Sequence, residues 1–529
     1  MCKRGCLTEC IYGFVIAVVY CLGKTIYETT DFRGIDQNPA KYALLFLGVG
    51  IVSAMALGLL DLLLKKAAKI RQWQTARKVV AGRWAFLVLW IILAGVYFIC
   101  YVSYYPGTFA YDAPPQTYQS YGYDPLNTHH PVLHTLVWRV CLIIGSCFSG
   151  MEQTVALAVY SVSEMLVVVT VSMVVVYTIY KLTDNVYALM AGYLYYLLTP
   201  VFPIMSFSMT KDILFSCFLV LFFIVLYRSS GQSKMNKKQP VFLFLTGLLA
   251  CLFRNNMIYV MLLVLVAAFT MKYAKCVKRI LCMIVVTYYV IMKLIFPLVG
   301  VESGERSEAF PVILTQMSGI YVNYPELLTE EEKQVILEYI PDANNFNRHF
   351  ADYVKSSFDE ELYKEDSKTF WKTYLSIVKK APVESFCIFL DLNVDYWYPN
   401  AEFPDPYSNR EYIETDTQER EVFWVDNAGL LPKVHGFYEQ IAEHEHWLMQ
   451  LPGIRYFYSL AFPFMSLVVC VYLIIKNRRA DCVLAFTALI GLFLTFLLGP
   501  VSNFRYIYIY YVALPLYFCY AAHGTTRGN

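Results

Sequence analysis

The chain has 529 residues, of which 58% are hydrophobic, 17% aromatic and only 16% charged, against roughly 25% charged in an ordinary soluble domain. A formal net charge of +2 hides a segregation: residues 302–452 hold 29 of the 41 acidic but 12 of the 43 basic residues, a local charge of −17 against +19 elsewhere. Apolar runs near 20 residues recur through the basic part, as bilayer-spanning helices require, and no basic patch falls on a soluble block, which argues against a nucleic-acid partner.

In chain order, the basic start Met1-Cys-Lys-Arg runs into an apolar stretch with no small-residue cleavage site, and reads as an uncleaved first span. Candidate spans are 8–26, 42–64 and 84–103, then 153–180, 184–204, 212–228, 240–254, 256–272 and 279–300, and finally 454–475, 481–500 and 504–522, about twelve in all. Four loops are basic: Lys65, Lys66, Lys69, Arg71, Arg77, Lys78 and Arg83; Arg228, Lys234, Lys237 and Lys238; Lys272, Lys275, Lys278 and Arg279; and Lys476 with Arg478 and Arg479. The positive-inside rule puts all four in the cytoplasm together with both termini. That parity leaves no room for a thirteenth crossing at 131–148, so this stretch, which carries His134 and Arg139, is expected to lie along the outer interface.

The expected fold is a polytopic α-helical plasma-membrane protein in three parts. Residues 1–301 form a membrane domain with an outer loop at 104–150, 302–452 an inserted, mainly helical extracytoplasmic domain, and 453–529 the last membrane helices. Within the acidic part, Thr329-Glu-Glu-Glu332 reads as a capping box opening a helix to Ile340. A second helix is expected over Ser367–Lys380, before Pro382, and the rings of Tyr396-Trp-Tyr-Pro399 suit a water–lipid boundary. The 15 cysteines form no disulfide pattern, only Cys387 lies in the acidic part, and all are expected to be reduced.

The chemistry concentrates in the loop after the third span. Asp112 lies in Pro106-Gly-Thr-Phe-Ala-Tyr-Asp112-Ala-Pro-Pro115, where prolines and Gly107 impose a tight path and aromatic neighbours raise the basicity of a carboxylate by desolvation. It suits a general base acting on a hydroxyl, or an ordinary turn or cap. Asp124, before Pro125, reads more strongly as a turn and ranks second. His129-His130-Pro131 opens the interfacial helix, whose free N–H groups and imidazoles suit a phosphate. The residues point to no particular cofactor; a divalent metal is an option at these histidines, but no third ligand is spaced for it. Lys211, Arg254 and Arg505 recur at the outer ends of spans, and a charge such as Arg254 inside an apolar hairpin costs about 2.5–3.5 kcal/mol unless it faces a cavity or a partner. Glu164 and Lys293 also fall within apolar runs, as pairing groups rather than catalytic ones.

These residues resemble the GT-C superfamily of membrane glycosyltransferases, which use sugars carried on a polyprenyl phosphate. The matching stretches are Tyr111-Asp112 followed by His129-His-Pro-Val-Leu133, the Arg254 hairpin, Phe504-Arg-Tyr506 and the soluble insertion, and the string Tyr105-Pro-Gly-Thr-Phe-Ala-Tyr-Asp112 looks closest to poorly characterised bacterial members. Val132 stands where a second proline is usual. The resemblance implies an inverting transfer on the outer face to a cell-envelope glycan, polymer or protein. Asp112 would deprotonate the acceptor, while Lys211, Arg254, Arg505 and His130, with His129 and Tyr506, would hold the donor phosphate. Two other readings are a transporter or lipid flippase, suggested by the many spans, and a non-enzymatic receptor or assembly factor using the acidic domain.

Overall fold

A computed structural model describes residues 2–67, 82–109, 112–230, 235–271, 275–401, 423, 425 and 429–523. Lys69, Arg71, Arg77, Lys78, Tyr111, Lys234 and Lys272 lie outside the described residues. Among the described residues there is no strand; the secondary structure is helical. The longer helices before the acidic part are α1 (Cys2–Thr29), α2 (Pro39–Ala67), α3 (Arg83–Ser103), α4 (Ala113–Tyr121), α5 (Val132–Gly145), α6 (Glu152–Thr183), α7 (Val186–Leu198), α8 (Lys211–Ser230), α9 (Lys238–Phe253), α10 (Met257–Thr270) and α11 (Lys275–Val290). The acidic part contributes α12 (Pro311–Asn323), α13 (Glu330–Tyr339), α14 (Ser367–Lys380), α15 (Pro382–Leu392) and α16 (Pro432–Ala442), and the chain closes with α17 (Phe462–Lys476), α18 (Val483–Phe496) and α19 (Phe504–Ala522).

The twelve apolar stretches are largely helical, two of them split between separate helices, and six helices are long and apolar enough to cross a bilayer: Cys6–Thr29, Pro39–Ala67, Trp84–Ser103, Glu152–Thr183, Lys211–Ser229 and Lys275–Leu298. This is a helical membrane protein. Of the others, α9 and α19 match the expected stretches closely, whereas the rest are shorter than the sequence pattern suggests. Helix α7 has 13 residues, about 20 Å at 1.5 Å per residue, and Pro200 precedes a separate turn, Val201–Met205. Helix α5 has 14 residues, also short of the roughly 30 Å hydrocarbon core, and it packs against α4, α6 and α9.

The acidic part folds around its own core, in which Phe370, Ile377, Ile336, Tyr339, Leu314 and Met317 are buried. Its capping box forms as expected: Thr329 accepts from the Glu332 N–H and Glu332 accepts from the Thr329 N–H. Helix α14 spans the expected residues. Arg348 anchors this part to the membrane helices. It donates to Asp391 at 2.9 and 2.5 Å and to the carbonyls of Ile26 and Tyr27 at the end of α1, where the helix dipole favours a cation.

Two expectations change here. Tyr396, Trp397 and Tyr398 are buried, not spread along an interface; Tyr398 packs against Tyr20 and Tyr27 over Gly23, where a Cβ would lie 2.6 Å from the Tyr398 ring. Lys293 sits exposed in a π-helical turn, Ile291–Ile295, and does not pair inside the bundle.

Candidate functional site

Three short backbone bridges bring distant loops together. Thr108 N–H donates to Phe207 O and Met209 N–H to Thr108 O, which lays the loop before α4 beside the start of α8. Gly107 permits this approach: its φ is +136°, and a Cβ there would lie 2.0 Å from Ser161 Oγ. Thr128 and Glu302 pair through Thr128 N–H to Glu302 O and Glu302 N–H to Leu126 O. Ala351 N–H donates to Pro500 O, which ties the acidic part to the segment before α19.

Asp112 occupies the N-cap position of α4, but its side chain makes no capping hydrogen bond. The carboxylate instead receives Lys211 Nζ on Oδ2 and Arg505 Nη1 at 3.2 Å on the same oxygen, with Arg505 Nη2 at 3.5 Å from Oδ1. His130 Nδ1 stands 3.9 Å from Oδ2. Arg505 also approaches a second carboxylate, with its Nε 3.8 Å from Asp212 Oδ2, and Asp212 Oδ1 accepts from Arg254 Nη1. The result is an alternating row, Lys211–Asp112–Arg505–Asp212–Arg254, assembled from the loop before α4, the start of α8, the α9–α10 turn and the start of α19. Asp212 is 1% exposed and Arg505 9%, while Asp112 and Lys211 are each 16% exposed, so the row is buried at Asp212 and reaches solvent at Asp112.

Aromatic rings and caps fix the cations. The Arg254 guanidinium lies 4.6 Å from the Tyr506 ring centre and 4.9 Å from that of Phe496, distances at which ring faces attract a cation. Tyr506 Oη accepts from Arg505 Nη2 at 3.2 Å. Asn503 caps α19 by accepting from the Arg505 N–H. Asn255, at the α9–α10 turn, donates to Thr128 O at 2.9 Å, holding the turn against the segment that carries the histidines.

The electrostatics follow from contact. Burial alone pushes the Asp112 carboxyl up, but the charges of Arg505 and Lys211 hold it well below the usual carboxylate range. Burial holds the neighbouring His130 down to about 3, with Lys211 acting in the same direction against Asp112. His130 is therefore a neutral imidazole at physiological pH, and its Nδ1 has no hydrogen-bond partner. Three cations face two carboxylates, leaving a surplus of one positive charge.

The sequence-level candidates divide. Asp112, His130, Lys211, Arg254, Arg505 and Tyr506 come together. Asp124 does not: it lies exposed beyond the end of α4. His129 turns away, with Nδ1 3.8 Å from Glu308, and its ring, Glu305 and Glu308 bring donor atoms within 4.8 Å of one another in an exposed cluster. That trio supplies the third ligand missing from the sequence spacing, but it stands apart from Asp112. Lys211 and Asp212 do not pair with each other. Neighbours on a helix point about 100° apart, so Lys211 reaches Asp112 and Asp212 reaches Arg254. Asp212 is the functional-site residue that sequence reasoning missed; its only signal was an acid beside a lysine at the start of an apolar helix. His134, Gln116 and Tyr160 were missed as well. They form a buried hydrogen-bonded group behind Asp112, which sequence spacing does not disclose.

No curated protein and no solved structure matches the chain. A family described as a family of unknown function, DUF6020, matches residues 117–526, from within α4 to beyond α19. That span takes in His130, Lys211, Asp212, Arg254 and Arg505, and the chain is a member of family DUF6020.

Proposed function

We propose that the protein is a membrane glycosyltransferase of the GT-C kind, moving a sugar from a polyprenyl-phosphate donor to an acceptor hydroxyl on the outer face of a bacterial plasma membrane. The observation that carries this reading is the buried row Lys211–Asp112–Arg505–Asp212–Arg254. In this reading the chain crosses the membrane about twelve times, some crossings being made by short helices in sequence, and the acidic part 302–452 lies outside.

Each side chain has a task in the transfer. The acceptor oxygen attacks the anomeric carbon as the bond from that carbon to the donor phosphate breaks, with inversion. Asp112, held ionised, takes the acceptor proton. Negative charge grows on the departing phosphate, where preorganised cations in a water-poor site act most strongly. Lys211, Arg505 and Arg254 are those cations, and neutral His130 can donate a hydrogen bond to a phosphate oxygen. A phosphate that draws Lys211 and Arg505 towards itself also loosens their hold on Asp112 and strengthens it as a base when the donor is bound.

The test is transfer from polyprenyl-phosphate sugars by the purified protein in lipid nanodiscs, followed as released lipid phosphate. Wild-type protein should turn over at least one such donor and Asp112→Asn should not. A well-folded Asp112→Asn variant with wild-type turnover would remove Asp112 as the base, and no turnover by wild type across a donor and acceptor panel would remove the reading itself.

A further inference from the structure

Glu164 is an acid that the row around Asp112 does not use. It lies twelve residues into α6 and is 1% exposed, and among the described residues no cation pairs with it. Its Oε1 is 3.1 Å from Tyr160 Oη. Tyr160 Oη is 2.7 Å from His134 Nε2, and His134 Nδ1 is 2.8 Å from Gln116 Oε1. Glu164 Oε2 meets no hydrogen-bond partner.

The order of donors in this chain fixes where the protons are. Burial holds His134 down to about 3, with Lys211 adding to the effect, so the ring carries one proton. Gln116 Oε1 only accepts, which puts that proton on Nδ1 and leaves Nε2 to accept from the Tyr160 hydroxyl. Tyr160 has then spent its one proton, and its contact with Glu164 is made only if the acid itself donates from Oε1. The reverse order needs the Gln116 amide turned round and strands the proton of a neutral Glu164 on Oε2 as an unpaired donor, while an ionised Glu164 without a cation in apolar surroundings costs several kcal/mol. Cys217 and Tyr508, which face Glu164 from α8 and α19, and Cys141 of α5 offer no compensating charge. Glu164 is thus a neutral acid whose Oε2 is a bare acceptor.

That acid lines a crevice of about 350 Å³ between α5, α6 and α8. Its walls are aliphatic: Val137, Val140 and Ile144, Val159 and Val167, and Leu214. Val140, Ile144 and Ser163 at its mouth are exposed on the apolar outer surface of these helices, so an occupant arrives from the lipid. Aliphatic walls select hydrocarbon, and a lone uncharged acceptor selects one hydrogen-bond donor and neither a cation nor an anion.

We propose that this crevice binds a neutral lipid-soluble molecule of the long-chain alcohol class, which lays its chain along the walls and donates its hydroxyl to Glu164 Oε2. The proposal is independent of the transferase reading. Dicyclohexylcarbodiimide tests it in nanodiscs, because it reacts with protonated acids in apolar sites. The acid proton moves to a carbodiimide nitrogen, the carboxylate oxygen adds to the central carbon, and an oxygen-to-nitrogen acyl shift leaves a stable N-acylurea without any other reagent. Mass spectrometry of the folded wild-type protein should place the adduct on Glu164 and find none at that position in Glu164→Gln. Rising dodecanol should slow labelling several-fold while dodecane leaves it unchanged. No adduct at Glu164 overturns the neutral acid. Labelling indifferent to dodecanol, or slowed equally by dodecane, overturns the alcohol site.

Discussion

Asp112 and Asp395 each have a histidine at nearly the same distance, yet their proton affinities are displaced in opposite directions. A histidine nitrogen stands 3.9 Å from Asp112 and 3.8 Å from Asp395, and burial holds both rings down, His130 to about 3 and His349 to about 4. Asp112 nevertheless stays well below the carboxylate range, whereas burial, with Asp391 adding to it, pushes Asp395 up to about 7. The difference is direct contact with cations. Asp112 receives Lys211 and Arg505, while the guanidinium nearest Asp395, that of Arg348, is already committed to Asp391. A neutral histidine beside an acid does little for it; a committed ammonium or guanidinium decides its state.

The largest expected effect breaks the comparison at Asp112. A general base contributes roughly 10²–10⁴ to rate, so Asp112→Asn should lower sugar transfer by about that factor, while Asp395→Asn, in a folded protein, leaves it within about twofold because it touches no reacting group. Equal losses in the two variants would remove the distinction between a reacting carboxylate and a structural one. Next comes Arg505→Met, which leaves Asp112 buried with one cation fewer. Breaking a buried ion pair from one side costs about 3–5 kcal/mol, measurable as loss of unfolding stability in detergent. Adding Asp112→Asn should return part of that loss, since the uncompensated charge is gone; strictly additive losses would show that Arg505 acts through packing alone.

Much of this contrast was legible in the sequence, but unevenly. The charge segregation at residue 302, the capping box at Thr329 and the bounds of α14 are local signals, and local physics decides them. The convergence of Asp112, Lys211, Arg254 and Arg505 was readable only as a shared property, charge at the outer ends of apolar runs. Asp212 was hidden because the charge two positions from Thr210 had an adjacent lysine to explain it away. The opposite states of Asp112 and Asp395 were not legible at all. They depend on bridges such as Thr108 to Phe207 and Ala351 to Pro500, between residues about 100 or more positions apart, and on which carboxylate Arg348 reaches first.

The Asp395 side of the comparison has a sign that pH can read. Its folded-state affinity for a proton exceeds that of the unfolded chain, so its stabilising contribution is complete below pH 4 and is lost as pH rises towards about 7. His349 has the opposite displacement, down to about 4, so its contribution is lost as pH falls, and the two slopes oppose each other in the wild type. Asp395→Asn removes one of them. The stability of that variant relative to wild type should therefore rise by about 1.4 kcal/mol per pH unit between pH 4 and 7 and level off above. A difference that does not change with pH would mean that Asp395 is ionised in the folded protein.

The smallest effect tests whether the rule of committed donors extends to a carboxylate whose partner cation is exposed. Glu332 is affected first by burial, which pushes it up, but Lys380, the Thr329 N–H and the Ser376 hydroxyl outweigh burial and bring it below the ordinary glutamate range. Its side chain is 12% exposed and the Lys380 side chain 39%, so solvent screens the pair and its worth falls towards that of a surface ion pair. Glu332→Gln keeps the shape and one acceptor of the capping box, and should cost no more than about 1 kcal/mol at pH 7. Because the folded-state affinity for a proton is lowered, that cost is present above the ordinary glutamate range and should vanish as pH falls through it. A cost that persists in acid would assign the effect to the cap geometry alone, and would confine the control of carboxylate state by committed cations to sites whose cations are themselves largely buried, as Lys211 and Arg505 are at Asp112.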